Sequence, residues 1–324
     1  MAHYLITGVA GFIAAGVAEQ LLDSGHRVLG IDNLNDTYDP SLKEFRLKGL
    51  LSRDGMEFVK GDISDKNFVE GLGSSVKVDA VINLAARVGV RQSVEDPQSY
   101  INTNMLGTSH LLDFCVSNQV RKFILASTSS IYGDQNTLPY KEDADLIRPL
   151  SPYAASKLGA EGLAHSYHHI YGFDVSILRY FTVYGPAGRP DMSVFRFVQR
   201  ISEGMPICRF GDGEQSRDFT YIDDIARGTI LALNSSGFQI FNLGGDHPYK
   251  LNALIELIER RTGHRAEIEE QPRHKADMTS TWADITHARE ELGWSPGISF
   301  EDGVDATVSW YESQRSWASL IITQ

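Results

Sequence analysis

The chain has 324 residues, 42% hydrophobic and 22% charged, which is ordinary globular usage. At roughly 150 residues per domain that length gives two domains, or one large domain with a smaller lobe, and it suffices to bury roughly 75% of the unfolded surface. Disorder, collagen and coiled coil are excluded, and 30 basic against 42 acidic residues leave a formal net charge of -12. Non-specific binding to nucleic acid or to an anionic membrane is therefore not expected, and an anionic ligand must meet a local basic pocket. Cys115 and Cys208 stand far apart with no CxxC or Cys/His cluster, so neither a disulfide framework nor a metal site is expected and both read as core residues. The apolar stretch Tyr4 to Leu22 lacks a basic leader and is interrupted by glycines, which predicts a cytoplasmic protein rather than a secreted one.

Taken in chain order, short β-branched runs alternate with helical periodicity. Strand patterns fall at His3 to Thr7, Arg27 to Ile31, Met56 to Lys60, Asp79 to Ala85, Lys122 to Ser127 and Asp174 to Tyr180. Helical patterns fall between them at Phe12 to Leu22, Ile101 to Val116 and Ala154 to Tyr171. Such alternation, with near-continuously hydrophobic strands, predicts a doubly wound parallel sheet of the Rossmann type. After Tyr180 the texture turns to Gly, Pro and Arg, then to helices at Ser193 to Glu203, Ile225 to Asn234, Leu251 to Thr262, Thr286 to Leu292 and Phe300 to Tyr311. Short strands are expected at Ile207 to Phe210, Arg217 to Tyr221 and Gln239 to Leu243. The expected division is a dinucleotide-binding domain over 1–180, to which segments of about 217–245 can return, and a smaller C-terminal α/β lobe over 181–324 that takes the substrate.

Three groups of residues point to chemistry. Gly8 and Gly11 form a G-x-x-G-x-x-A turn with Ala14 between the first strand and first helix, where the backbone can approach a pyrophosphate resting on the helix N-terminus. Asp32 ends the second strand about 20 residues on, where a carboxylate accepts from adenosine ribose hydroxyls and repels a 2′-phosphate. Asn33 follows it and no arginine stands beside it, so NAD is expected over NADP. Asp62, in GDISD, is either a contact to the adenine amino group or a surface turn. Tyr153 and Lys157 are spaced i, i+4, on one helix face. A phenol beside an ammonium can act as a base near neutral pH, although the spacing alone also fits a solvated face.

The glycine turn, Asp32, NLAA (83–86), STSSIYG (127–133) and SPYAASK (151–157) together resemble the extended short-chain dehydrogenases/reductases. RYFTVYGP (179–186), GRPDM (188–192) and RDFTYIDDIARG (217–228) resemble their nucleotide-sugar epimerase and dehydratase branch. The resemblance spans nearly the whole chain, and Ala14 is its one departure, where many relatives carry glycine. It implies that Thr128, Tyr153 and Lys157 form the catalytic set: Thr128 binds the reacting O4, Tyr153 takes its proton, and Lys157 binds the nicotinamide ribose and lowers the tyrosine pKa. It further implies cofactor contacts from Phe12, Ile13, Ile63, Leu84, Ala85, Ala86, Asn104 and Tyr180. Where dehydratases and decarboxylases of the branch carry an acidic residue after the threonine, this chain has Ser129 and Ser130, which cannot supply an additional acid or base. The expected reaction is epimerisation through a transient 4-keto sugar with NAD retained.

TVYGPAGRPDM resembles the matching segment of UDP-glucuronate 4-epimerases. Arg189 can offer a guanidinium to the substrate carboxylate, completed by Thr182, Ser129 and Ser130, or it can simply order its loop. A 4-epimerase of a neutral UDP-sugar is the alternative, ahead of a decarboxylase or a non-catalytic NAD-binding protein. For the nucleotide, the resemblance implies Arg217 on the diphosphate, Asp277 on the ribose and Phe210 against the uracil. Arg91, or a cation of Arg273-His274-Lys275, is left as a second phosphate contact. A homodimer through the helices near 101–116 and 154–171 is also implied.

Overall fold

The structure, a computed structural model, describes residues 1–73, 76–134, 136–273 and 277–323. Seven parallel strands form the main sheet: β1 (His3–Thr7), β2 (Arg27–Asp32), β3 (Met56–Lys60), β4 (Ala80–Asn83), β5 (Lys122–Thr128), β6 (Asp174–Tyr180) and a later strand, β10, named below. Between β6 and β10 the chain forms β7 (Thr182–Tyr184), β8 (Ile207–Phe210) and β9 (Ser216–Tyr221). It then forms β10 (Phe238–Leu243), β11 (Pro248–Lys250) and β12 (Ile268–Gln271). The order across the sheet is β3-β2-β1-β4-β5-β6-β10, the doubly wound order with its reversal between β1 and β4. Register alternates the faces: Leu5, Val81 and Phe123 join one apolar cluster while Ile6, Ile82 and Ile124 join the other, which is why these runs lack a polar face.

The helices are α1 (Phe12–Asp23), α2 (Pro40–Leu51), α3 (Lys66–Leu72), two single turns α4 (Gln92–Glu95) and α5 (Pro97–Tyr100), α6 (Gly107–Ser117) and α7 (Pro152–Tyr171). They continue with α8 (Ser193–Ser202), α9 (Ile222–Leu231), α10 (Leu251–Thr262), α11 (Thr286–Leu292) and α12 (Phe300–Ala318). The continuous helix expected over Ile101 to Val116 is not continuous: residues 101–106 form a wide π-type turn before α6 begins. α12 runs beyond Tyr311 to Ala318 because Trp310 and Trp317 pack on the same side, against Phe45 of α2.

Of the segments near 217–245, β9 pairs with β7 and β11 in a separate three-stranded sheet, while β10 lies beside β6 in the main sheet. α9 packs on α1, with Ile222 and Ala226 facing the Cβ-less Gly16. A third apolar cluster, built on Phe195, Phe197, Ile201, Leu254, Ile258, Val304 and Tyr311, is the core of the smaller lobe. Cys115 is buried in the main core, but Cys208, expected there too, is only half-buried and faces the cleft described next.

Candidate active site

Loops at the carboxyl ends of the strands enclose a cleft of about 850 Å³ over the strand-order reversal, the place where open parallel sheets bind ligands. Gly8 has φ +70°, and a Cβ there would stand 2.8 Å from Ala85 Cα. A Cβ on Gly11 would stand 2.8 Å from the Gly8 carbonyl oxygen. Gly11 caps α1 without any side-chain bond, so the helix N-terminus is left to an anion rather than to a side-chain oxygen. Ala14, 2% exposed, packs into the core without closing the turn.

Asp32 is 7% exposed; its Oδ2 accepts from the Ala10 N–H at 3.1 Å and its Oδ1 from the Leu34 N–H at 2.7 Å. The carboxylate thus braces the glycine turn while facing the cleft. Asn33 donates to Asp62 Oδ2 at 2.8 Å, and Ser64 bonds Asp62 Oδ1 through both its N–H and its hydroxyl. Burial works to raise the Asp62 pKa, yet these bonds hold it below the ordinary carboxylate value. Phe12, Ile13, Ile63, Leu84, Ala85, Ala86 and Tyr180 also line the cleft. These residues fit a dinucleotide: a cradle that a Cβ would fill, an uncapped helix start and a carboxylate at the end of β2.

Asn104 is the one expected cofactor contact that does not line it. Only 1% exposed, it accepts from the Arg87 N–H and donates to the Arg87 carbonyl and to Ser156 Oγ. With both ends of its amide consumed, it braces the loop after β4 against α7.

Thr128 ends β5, where its hydroxyl accepts from the Ser130 N–H at 3.2 Å and starts a tight turn over Ser129–Tyr132. Ser151 caps α7, accepting from the Ala154 N–H, with Pro152 in the first turn. This fixes Tyr153 and Lys157 one turn apart at the cleft. Burial pushes the Tyr153 phenol up, opposed by the Thr128 hydroxyl and by the charge of Arg189. Lys157 does not bond the phenol here: its Nζ is turned to the Ala126 carbonyl at 2.9 Å. Burial also brings Lys157 down to about 8, against the pull of Glu161. Below it, Glu161 accepts from Arg179 at 3.2 and 2.8 Å and from the Ser127 hydroxyl.

At the lobe side, Ser129, Ser130, Thr182, Arg189, Phe210, Arg217, Asp277 and Arg91 all line the same cleft. Arg189 bonds Asp191 through its Nε–Nη2 edge at 3.1 and 2.5 Å, leaving the Nη1–Nη2 edge for a second carboxylate. Arg91 lies 3.8 Å over the Phe210 ring and donates to Asp277 at 2.6 Å, so three expected nucleotide contacts form one cluster. Arg273 bonds the Asp277 carbonyl and Thr279; His274 and Lys275 lie outside the described residues. Sequence reasoning missed Tyr38, Lys43, Asp191 and Arg196, which also line the cleft. Asp39 followed by Pro40, a cap and an N1 proline, was the available signal for the helix that carries Lys43. Among the described residues no group of three or more His, Cys, Asp or Glu could hold a metal ion.

Residues 5–307 match the family model described as GDP-mannose 4,6 dehydratase. A UDP-glucuronate 4-epimerase of Thermodesulfobacterium geofontis is 52% identical over 311 residues, 96% of each chain. The crystal structure of the UDP-glucuronic acid 4-epimerase from Bacillus cereus, in complex with UDP-glucuronic acid and NAD, is 37% identical. It superposes with a TM-score of 0.90 over 96% of this chain and 99% of that one. The UDP-glucose 4-epimerase of Thermotoga maritima, with UDP-glucose, is 31% identical with a TM-score of 0.89, over 97% and 99%. With its strand order, glycine turn and Tyr153–Lys157 pair in place, the chain belongs to the nucleotide-sugar epimerase and dehydratase family of extended short-chain dehydrogenases/reductases.

Proposed function

We propose that the protein is a UDP-glucuronate 4-epimerase that interconverts UDP-glucuronate and UDP-galacturonate. The observation that carries this reading is that one cleft holds Thr128, Tyr153 and Lys157 between the glycine turn with Asp32 and the guanidinium of Arg189. NAD, when bound, supplies reversible two-electron oxidation at C4 of the sugar. Gly8, Gly11 and Asp32 hold its pyrophosphate and adenosine ribose, and Lys157 holds its second ribose. Residues 1–180 together with α9 and β10 form the part that serves NAD, and the remaining lobe serves the UDP-sugar.

Thr128 binds O4 and Tyr153 removes its proton, then returns it once the 4-keto sugar has turned its other face. Ser129 and Ser130 provide no acid or base for loss of water, so the ketone persists until it is reduced again. Arg217, Arg91 and Asp277 anchor the nucleotide while the sugar turns. Oxidation at C4 makes a β-keto acid, and Arg189 with Thr182, Ser129 and Ser130 holds its carboxylate charged and away from overlap with the carbonyl. With each enzyme assayed above the rising limb of its own pH profile, replacing Arg189 by Ala is expected to lower kcat/KM on UDP-glucuronate by roughly a hundredfold, the scale of a lost charge-assisted pair, and on UDP-glucose far less. Equal losses on both substrates would overturn the carboxylate role.

No helix among the described residues is long and apolar enough to cross a membrane, and a cytoplasmic location suits the proposed substrate. We place a homodimer contact on α6 and α7, where Tyr171 and Ile170 are exposed. Light scattering should return twice the chain mass, and a monomer at micromolar concentration would contradict the contact.

A further inference from the structure

Arg46 sits in the middle of α2 and is 7% exposed, yet the acceptors around its guanidinium are all uncharged. Nε donates to the Ala187 carbonyl at 3.0 Å, and Nη2 to the carbonyls of Ala187 and Gly188 at 2.6 and 3.2 Å. Nη1 donates to the Ala10 carbonyl at 3.1 Å and to the Tyr38 hydroxyl at 2.8 Å. A guanidinium has five N–H groups, and these bonds use all five. The guanidinium also lies between the rings of Phe12 and Tyr38, at 5.7 and 5.6 Å.

The two segments it joins are the two halves of the site. Ala10 belongs to the glycine turn between Gly8 and Gly11, and Ala187 and Gly188 lead directly into Arg189. Ala187 itself has φ +51°, a left-handed conformation that costs a non-glycine residue and persists only where its surroundings enforce it. Three of the five bonds end on Ala187 and on the residue after it. A lysine could reach one segment but not grip both, because it lacks the planar fork.

We propose that Arg46 is a positioning residue for the carboxylate end of the substrate: it fixes the Arg189 loop against the cofactor turn, and so sets where the uronate carboxylate lies relative to C4. This rests on the UDP-glucuronate reading above. If Arg46 slackens, the 4-keto uronate is held less rigidly and a competing step opens. The C5–C6 bond breaks, carbon dioxide leaves, and the electron pair moves into the C4 carbonyl as an enolate that takes a proton at C5. The product is a UDP-4-keto-pentose, which becomes a UDP-pentose when the hydride taken from C4 is returned to it.

The test is proton NMR of UDP-glucuronate turned over by wild type, Arg46→Met and Arg46→Lys, reading the ratio of UDP-pentose product to UDP-galacturonate together with KM and kcat. A ratio is independent of how much enzyme is folded, so partial unfolding does not blur it, and Arg46→Lys keeps the buried charge if Arg46→Met does not fold. The ratio is expected to rise by about tenfold in both variants, and kcat/KM on the uronate to fall by roughly a hundredfold, the scale of a misplaced reactive group. In an Arg189→Ala background, Arg46→Lys should add little to the ratio, because both act through one contact. Variants that lose thermal stability but keep the wild-type ratio and KM would show a merely structural arginine and overturn the proposal. A wild type that leaves UDP-glucuronate unchanged would instead overturn the function on which it rests.

Discussion

Burial works against Tyr153: it raises the phenol pKa, whereas the proton transfer at O4 needs the phenolate. The opposing influences are the Thr128 hydroxyl and the charge of Arg189, so the residue proposed to bind the substrate carboxylate would also tune the proposed base. Activity should therefore rise with pH as Tyr153 loses its proton. Replacing Arg189 by Gln removes a charge that lowers this pKa, so the rising limb of kcat/KM should move to higher pH, as it should with Thr128→Val. Profiles collected on UDP-glucose avoid the loss of carboxylate binding, and a limb that stays in place in both variants would contradict the assignment. That Tyr153 and Lys157 share one helix face was legible from their spacing, but the cation acting on the phenol, Arg189, was not. Nothing in the sequence says that Lys157 turns to the Ala126 carbonyl. Asn104 shows the reverse: its position was legible from the resemblance, but Arg87 and Ser156 consume its amide.

Among the elements, α7 carries Tyr153 and Lys157, the pair proposed for catalysis, and is anchored to the sheet from below. Glu161, one turn after Lys157, accepts two bonds from Arg179 of β6, whose side chain is 2% exposed, and one from Ser127 of β5. Changing Glu161 to Gln leaves a buried guanidinium without its charge partner and is expected to cost about 3 kcal/mol in a urea unfolding experiment, at the lower end for a broken buried pair. A loss below about 1 kcal/mol, the scale of an exposed pair, would show that α7 is held by apolar packing alone. The inner strands of the main sheet, β1, β2, β4, β5 and β6, were readable because both faces are largely buried and leave short apolar runs. α2 was not, because Lys43 and Arg46 occupy its buried face and break the apolar period. β12 was hidden for the opposite reason: all four of its residues are exposed, and no alternation marks them.

At the scale of the molecule, the parallel order and the reversal between β1 and β4 follow from alternating patterns along the first 180 residues. The return of a segment within about 217–245 was expected, but which strand returns was not: β10 joins the sheet at the open edge of β6, while β9 pairs elsewhere. The site inherits that geometry. One side of the cleft rests on the ends of the early strands, and the other on the loop after β7, on β8 and β9 and on residues after β12, with Arg46 tying the loop after β7 to the glycine turn. The most direct test of the whole account is proton NMR of UDP-glucuronate incubated with the purified protein, with and without added NAD, following the anomeric and H4 signals. An equilibrium mixture of UDP-glucuronate and UDP-galacturonate is expected. An unchanged UDP-glucuronate spectrum alongside conversion of UDP-glucose would contradict it and return Arg189 to the role of a loop residue.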